Sequence, residues 1–185
     1  MASIFSTRIV RESSKEGNTI LDAGCGDGIQ SLYLARRNKE SLVYGYDISA
    51  QSVMQANKYK QEHKIPNANF FVSSHDDFES QTQMDMIYTI GSLVGNHEIP
   101  YGSADVLRKT EKIVKERVSK FFEMLGKNGV YVMVWGAGPA RNKNLVEIIE
   151  SSGFKHSYIF TGKFLDYDEN YEAAHETALI FHKNN

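Results

Sequence analysis

One short segment, Asp22–Gly28, constrains the fold of this chain more than any other. It follows the apolar run Thr19–Leu21 and places glycines at alternate positions 24, 26 and 28, after which a helical pattern begins at Ile29. A strand, a glycine-rich loop and a helix in this order allow the backbone of an α/β sheet to approach a nucleotide-like ligand. Glycine suits such a loop because it leaves no Cβ in the path of the ligand or of a tight turn. The segment therefore predicts a ligand site at the end of the first strand.

The spacing of these glycines excludes two common nucleotide sites. A dinucleotide fingerprint reads G-x-G-x-x-G, but Ile29 and Ser31 occupy the third glycine position for starts at Gly24 and Gly26. A phosphate-binding P-loop needs Lys-Ser or Lys-Thr after its last glycine, and neither follows here. The loop instead reads D-x-G-x-G-x-G, with Asp22 before the first glycine.

A second acid follows the next apolar strand. Asp47 comes directly after the run Leu42–Tyr46, and an acid about 20 residues beyond a glycine loop lies at the tip of the neighbouring strand. Its two carboxylate oxygens can accept hydrogen bonds from both hydroxyls of a ribose. Ser49 is a natural N-cap for the helix that follows. We expect Asp47 to bind the ribose of the ligand.

The glycine loop closely resembles motif I of class I S-adenosylmethionine-dependent methyltransferases. The resemblance implies S-adenosyl-L-methionine as the cofactor, with the loop packed against its adenosyl and methionine parts rather than against a phosphate. We predict no metal site. The predicted cofactor-binding residues lie in the glycine loop, after the second and third strands, and in the fourth strand: Asp22, Gly24, Cys25, Gly26, Gly28, Asp47, Ile48, His75, Asp76 and Thr89.

The composition is that of a soluble globular chain. The 185 residues, of which 41% are hydrophobic and 24% charged, fit one domain of ordinary size, residues 1–185. The net charge of −2 gives no basic excess, so a general nucleic-acid surface is not expected. There is no signal-peptide block and no apolar run of membrane-spanning length. With Cys25 as the single cysteine, we expect a cytoplasmic protein that does not bind membranes.

Strand and helix patterns alternate along the chain, which predicts a mostly parallel sheet. The predicted strands are 19–23, 42–46, 69–73, 86–90, 130–135, 154–161 and 177–182. The predicted helices are 28–38, 50–63, 104–125 and 141–152. They follow a short lead-in over residues 1–17, in which residues 3–16 are either a short helix or irregular. Residues 83–85 are predicted to form a turn before the fourth strand. The apolar stripe of the long helix includes Leu125, and Gly126 is predicted to end that helix as its C′ residue. The last two strands indicate an antiparallel pair, and the family resemblance implies an α/β three-layer sandwich with seven strands, the last of them antiparallel.

The segment Ser73–Phe78 follows the third strand. Members of the resembling family often place an acid here that contacts the amino group of adenine. Asp76 is our choice for that acid, with His75 beside it, although Ser74 stands at the position most like the family acid. An alternative is that Asp76 and Asp77 only cap the following turn.

The segment after the fourth strand corresponds to motif IV of the family. It contains no Asn/Asp-Pro-Pro-Tyr/Phe sequence of nucleic-acid amine methyltransferases, no glutamate pair of protein arginine methyltransferases, and no acid directly after the strand as in aminopropyltransferases. The run Ile90–Leu93, which leads toward His97, looks like small-molecule methyltransferases of the quinone-biosynthesis and tellurite-resistance type.

Methyl transfer is an in-line displacement in which alignment of donor and acceptor supplies most of the acceleration. His97 is the best candidate for a general base because histidine titrates near neutrality, although a loop histidine is more often a surface residue. Glu98, Tyr101 and Tyr167 are weaker candidates. An aromatic set is available to line an acceptor pocket, with Trp135 nearest the site: Tyr101, Trp135, Phe164, Tyr167 and Tyr171.

Many members of the resembling family carry a helical lid before motif I, but only 17 residues precede Asn18 here. We expect the loops 91–103 and 162–175, or a partner chain, to close the acceptor side, which leaves room for a homo-oligomer.

The leading hypothesis is therefore methyl transfer from S-adenosyl-L-methionine to a small-molecule acceptor. Two alternatives remain open: an RNA or protein methyltransferase, and a catalytically silent S-adenosylmethionine-binding subunit that activates another enzyme.

Overall fold

The computed structural model of the chain describes residues 4–93, 104–135, 139–163 and 175–183. The helices are α1 (Ile4–Ser13), α2 (Ile29–Arg37), α3 (Ala50–Glu62), α4 (Ala104–Met124) and α5 (Pro139–Glu150). The strands are β1 (Thr19–Ala23), β2 (Leu42–Asp47), β3 (Ala68–Val72), β4 (Met84–Ile90), β5 (Leu125–Trp135), β6 (Phe154–Lys163) and β7 (His175–Lys183).

The strands form one seven-stranded sheet in the order β3-β2-β1-β4-β5-β7-β6. The pairs among the first five strands are parallel, and β7 runs antiparallel between β5 and β6. The predicted seven-stranded, mostly parallel sheet with an antiparallel last strand is confirmed. The strand order reverses between β1 and β4, and ligands of open α/β sheets bind at the carboxyl ends of the strands next to such a point.

Apolar side chains fill both faces of the sheet, as the alternating strand residues Ile20 and Leu21 show. Ile20 belongs to a cluster with residues of α1, α2 and α3, whereas Leu21 belongs to a second cluster with residues of α4 and α5. Because successive strand side chains point to opposite faces, the sheet is covered by helices on both sides. The predicted three layers are therefore observed. Of the two alternatives predicted for the lead-in, the structure has the short helix, α1, whose Val10 is fully buried.

The fourth strand begins earlier than its sequence indicates. A turn was expected at residues 83–85, but β4 starts at Met84, which is 1% exposed. Asp85 lies within the strand, and its Oδ2 accepts a hydrogen bond from the backbone N–H of Thr19 at 2.8 Å. The aspartate was taken as a turn signal, but it binds the start of the neighbouring strand β1.

The end of α4 also differs from the prediction. The helix ends at Met124, and Leu125 pairs with Met84 as the first residue of β5. Gly126 therefore belongs to β5 and is not a left-handed C′ residue; the positive φ of this segment, 64°, falls on Asn128. Leu125, counted with the apolar stripe of the helix, is fully buried where the sheet begins.

None of the helices in the described ranges is long and apolar enough to cross a lipid bilayer.

Candidate functional site

The glycine loop is held against the neighbouring strand by its backbone. The N–H groups of Gly24 and Cys25 both donate to the carbonyl of Tyr46, at 2.9 and 2.8 Å. Gly24, Gly26 and Gly28 have φ values of 86°, 53° and 74°, all in the left-handed region that glycine adopts without strain. The loop therefore has a fixed shape that few other residues would permit.

The three glycines have different surroundings. A Cβ on Gly24 would overlap the side chain of Ser92, and one on Gly28 would lie 2.7 Å from the Cβ of Ala56. A Cβ on Gly26 would meet nothing within 4 Å. Gly24 and Gly28 are thus required by packing within the protein, whereas Gly26 borders open space.

Asp47 is bound to the glycine loop through its side chain. Its Oδ2 accepts from the N–H of Gly26 at 2.9 Å, and its Oδ1 accepts from the N–H of Ser49 at 2.9 Å. Each carboxylate oxygen has a second lone pair, so both oxygens retain acceptor capacity for a ribose. Ser49 caps α3 as predicted, because its hydroxyl accepts from the N–H of Ser52 at 3.2 Å.

A cleft of about 260 Å³ opens beside Asp47 at the carboxyl ends of the strands. Five of the predicted cofactor-binding residues line it: Gly24, Asp47, Ile48, His75 and Asp76. The other described residues of its wall are Tyr46, Ser73, Ser74, Ser92 and Arg117. The side chain of Ile48, which is 68% exposed, adds an apolar surface to this wall.

Asp22 lies beneath the glycine loop and not in the cleft wall. It is 3% exposed, and its Oδ2 accepts from the hydroxyls of Ser31 at 2.5 Å and Tyr88 at 2.7 Å. Burial raises the pKa of this carboxyl to about 6, and the two hydroxyl donors oppose the shift. Asp22 therefore joins β1 to α2 and β4 beneath the loop.

Cys25 and Thr89 are buried side chains. Burial, with the nearby carboxylates of Asp22 and Asp47, raises the pKa of the Cys25 thiol, so a reactive thiolate is disfavoured. The Thr89 hydroxyl lies 3.0 Å from the hydroxyl of Tyr131, which is also buried. Both residues support the strands and the loop from within, and neither lines the described cleft wall.

His75 bridges two loops of the site. Its Nδ1 lies 2.7 Å from the hydroxyl of Tyr46, and its Nε2 lies 2.6 Å from the carbonyl of Ser92. A carbonyl only accepts, so Nε2 donates its hydrogen to Ser92, and Nδ1 is paired with the Tyr46 hydroxyl. Both ring nitrogens thus hold the loops after β3 and β4 in place.

Arg117 is a residue of the site that sequence reasoning missed. It is 5% exposed, and it contacts Asp76 at 3.2 Å (Nε to Oδ1) and at 3.3 Å (Nη2 to Oδ2). The sequence does contain a signal for it, because Arg117 falls on the apolar stripe of α4 between Val114 and Phe121. A charged residue on a buried helix face is informative, since such residues are rarely buried unless they are paired.

The predicted catalytic residue His97 and the weaker candidates Glu98, Tyr101 and Tyr167 lie outside the described residues, as do Phe164 and Tyr171. Trp135 ends β5 and pairs with Thr177, and its side chain also lies outside what the structure describes. Within the described ranges, no cluster of His, Cys, Asp and Glu has the arrangement of a metal site.

A family model described as a methyltransferase domain matches residues 14–162. The chain belongs to this methyltransferase domain family, whose members use S-adenosyl-L-methionine. The matched segment contains the glycine loop, Asp47 and every described residue of the cleft wall.

Among curated proteins, this methyltransferase domain is similar to a probable (S)-tetrahydroprotoberberine N-methyltransferase 2 of Papaver bracteatum. The two are 32% identical over 81 residues, which are 44% of this chain and 23% of the relative. The chain thus matches only about a quarter of the length of that relative.

Solved structures share the fold. Magnesium protoporphyrin IX methyltransferase of Synechocystis PCC 6803, with bound S-adenosylmethionine, superposes with a TM-score of 0.69 at 18% identity, over 97% of this chain and 79% of that one. A TehB-like methyltransferase of Corynebacterium glutamicum gives a TM-score of 0.65 at 23% identity, over 96% and 86% of the two chains. These similarities show a class I methyltransferase fold.

Proposed function

We propose that this protein transfers the methyl group of S-adenosyl-L-methionine to a small-molecule acceptor by in-line displacement. The observation that carries the proposal is the Asp47 carboxylate, which is bound to the amides of Gly26 and Ser49 and faces the cleft. The similarity to an N-methyltransferase and the absence of nucleic-acid and protein acceptor motifs support a small-molecule acceptor.

The described residues fit the adenosyl part of this ligand. The open space above Gly26 admits a group close to the backbone, and Asp47 can accept from the ribose hydroxyls. Ile48 offers an apolar surface to the face of the adenine ring, and Asp76 offers an acceptor to its amino group. Asp22, Cys25, Gly28 and Thr89 act indirectly, because they shape the loop and the strand ends.

The ligand supplies the electrophile, since a methyl group on a sulfonium is open to nucleophilic displacement. The protein then has to orient the acceptor and exclude water, and alignment alone can lower the barrier by several kcal/mol, on the order of 7–11. A general base contributes where the attacking group carries a proton. His75 is unsuited to that role because Tyr46 and Ser92 occupy both its ring nitrogens. His97 therefore remains our proposed base.

Calorimetry with S-adenosylmethionine and its demethylated product tests the ligand. We expect the parent protein to bind both, and Asp47→Ala to bind at least about 100-fold more weakly, because it loses two charged hydrogen bonds to ribose. Asp27→Ala is the matched control, because it removes an acid from the same loop. The Oδ1 of Asp27 accepts only a long hydrogen bond, 3.4 Å, from the N–H of Ile29.

No binding by the parent would refute the proposal, and undiminished binding by Asp47→Ala would refute the ribose assignment. Transfer of labelled methyl groups to pools of metabolites, RNA and protein then identifies the acceptor class. We expect transfer to metabolites. Transfer to RNA or protein would contradict the small-molecule acceptor and identify the true acceptor class. Binding without any transfer would indicate a catalytically silent partner subunit.

A further inference from the structure

Arg117 connects α4 to two loops of the cleft. Its Nη1 donates to the carbonyl of Leu93 at 2.7 Å, after β4, while Nε and Nη2 face the two carboxylate oxygens of Asp76, after β3. The guanidinium is planar and always charged, so it fixes both partners in one rigid geometry. It thereby joins the two segments that follow the strands on either side of the cleft.

The two members of the ion pair differ sharply in exposure. The side chain of Arg117 is 5% exposed, whereas that of Asp76 is 69% exposed and lines the cleft. Val114, Val118 and Phe121, which flank the arginine on its helix face, are fully buried. A buried charge is costly to leave without a partner, so the packing of α4 restrains the exposed carboxylate.

Asp76 is also held through its backbone. The Nζ of Lys120, one turn further along α4, donates to the Asp76 carbonyl at 2.7 Å. A free surface aspartate would sample several rotamers, whereas contacts at both the main chain and the side chain select one position. The guanidinium contacts each carboxylate oxygen of Asp76 once, and each oxygen of an ionised carboxylate has two lone pairs.

We propose that Arg117 is a positioning residue for the nucleobase end of the cleft. It orients the Asp76 carboxylate to accept the exocyclic amino group of adenine, and so allows the protein to distinguish adenosyl ligands from purine ligands without that group. The inference rests on the proposed function, because it assumes that the cleft binds an adenosyl group.

The test is calorimetry with two ligands, the demethylated product of S-adenosylmethionine and its 6-deamino purine analogue. We expect the parent protein to prefer the amino-bearing ligand by about 10- to 100-fold, as for a hydrogen bond to a charged group. Asp76→Asn and Arg117→Met should reduce the preference to about threefold or less. Arg117→Lys should show an intermediate preference, because it keeps the charge without the planar fork.

Lys112→Met is the matched control, since it removes an exposed cation from the same helix, paired only with Glu116 among the ion pairs of the described residues. It should keep the preference of the parent. Thermal unfolding identifies any variant that does not fold, and if Arg117→Met fails to fold, Arg117→Lys decides.

The preference between the two ligands separates positioning from a general loss of stability, which would weaken both ligands equally. An unchanged preference in folded Arg117→Met and Arg117→Lys would overturn the inference while leaving the proposed function intact. A parent that binds both ligands equally would overturn the inference as well. A parent that binds neither would overturn the proposed function.

Discussion

Asp22 is a buried acid whose charge changes in the range of pH in which proteins are usually handled. Burial raises its pKa from 3.8 to about 6. The folded protein therefore holds this proton more tightly than the unfolded chain. Protonation of Asp22 therefore contributes to the free energy of unfolding. This contribution is complete below about pH 4 and is lost as the pH rises through about 6. A pKa shift of about two units corresponds to a contribution of about 3 kcal/mol.

We predict that Asp22→Asn removes this dependence, because the amide oxygen can still accept from Ser31 and Tyr88 but does not ionise. Between pH 4 and pH 7, the free energy of unfolding of the parent should fall relative to that of the variant by up to about 3 kcal/mol. Urea unfolding at a series of pH values measures the difference. A constant difference over this range would show that Asp22 is not the titrating group.

Single residues also mark the limit of the sequence analysis. Asp47 could be assigned to the cleft because its position depends only on the order of strand, loop and strand. Asp22 reads equally as an acid at a strand end, but its burial depends on Ser31 and Tyr88, which are distant in sequence or on another element. Arg117 could not be assigned to the site because the assignment depends on which loops pack against α4. That arrangement follows from tertiary packing and not from a local sequence pattern.

The strand, loop and helix around the three glycines form the element on which the site depends, and its members should respond differently to alanine. Gly26→Ala and the remote Gly17→Ala both place a Cβ in open space at positive φ, 53° and 78°. Each should lose about 1–2 kcal/mol of stability from the left-handed backbone. Gly28→Ala adds a clash with Ala56 and should lose more, roughly 2–5 kcal/mol.

Ligand binding should separate these variants. Gly26→Ala should weaken the binding of S-adenosylmethionine by about tenfold or more, because its Cβ enters the space left for the ligand. Gly17→Ala, with a similar loss of stability, should bind as the parent does. Urea unfolding and calorimetry on the same preparations provide both measurements. Equal weakening of binding by Gly17→Ala and Gly26→Ala would mean that Gly26 does not face the ligand.

Among the elements, the strands and the longer helices could be predicted from local patterns, whereas some of their boundaries could not. Strands β1 and β2 follow from apolar runs that end in acids, and α3 from the Ser49 cap. The predictions for the start of β4 and for the end of α4 were wrong for the same reason. Met84 and Leu125 pair with each other across the sheet, and this contact between distant segments outweighs the local turn signals of Asp85 and Gly126.

At the scale of the whole molecule, α1 packs the beginning of the described chain against strands from its second half. It precedes β1 in sequence but packs against β5 and β7. Its Val10 is fully buried, while Arg8 on the opposite side is exposed and paired with Glu12. The helix thus contributes to the core in addition to preceding the site.

We therefore predict that Val10→Ala costs about 1–3 kcal/mol of global stability through the cavity it leaves. Arg8→Ala, in the same helix, should leave the free energy of unfolding unchanged within error, because an exposed ion pair contributes little. Urea unfolding followed by tryptophan fluorescence and by circular dichroism should give coincident transitions. If Val10→Ala unfolds like the parent, α1 is not part of the cooperative unit.

The insertion of β7 between β5 and β6 has a consequence for how the protein is made. Strand β7 lies inside the sheet but is the last described element along the chain. During synthesis, β5 and β6 are therefore made before the strand that pairs with both of them, and the edge of β5 is unpaired until then. That edge carries the apolar run Val130–Val134, and exposed apolar edges invite pairing with other chains. Until β7 leaves the ribosome, aggregation through the β5 edge competes with pairing of β5 and β7. We expect a variant without β7 to keep this edge exposed and to aggregate.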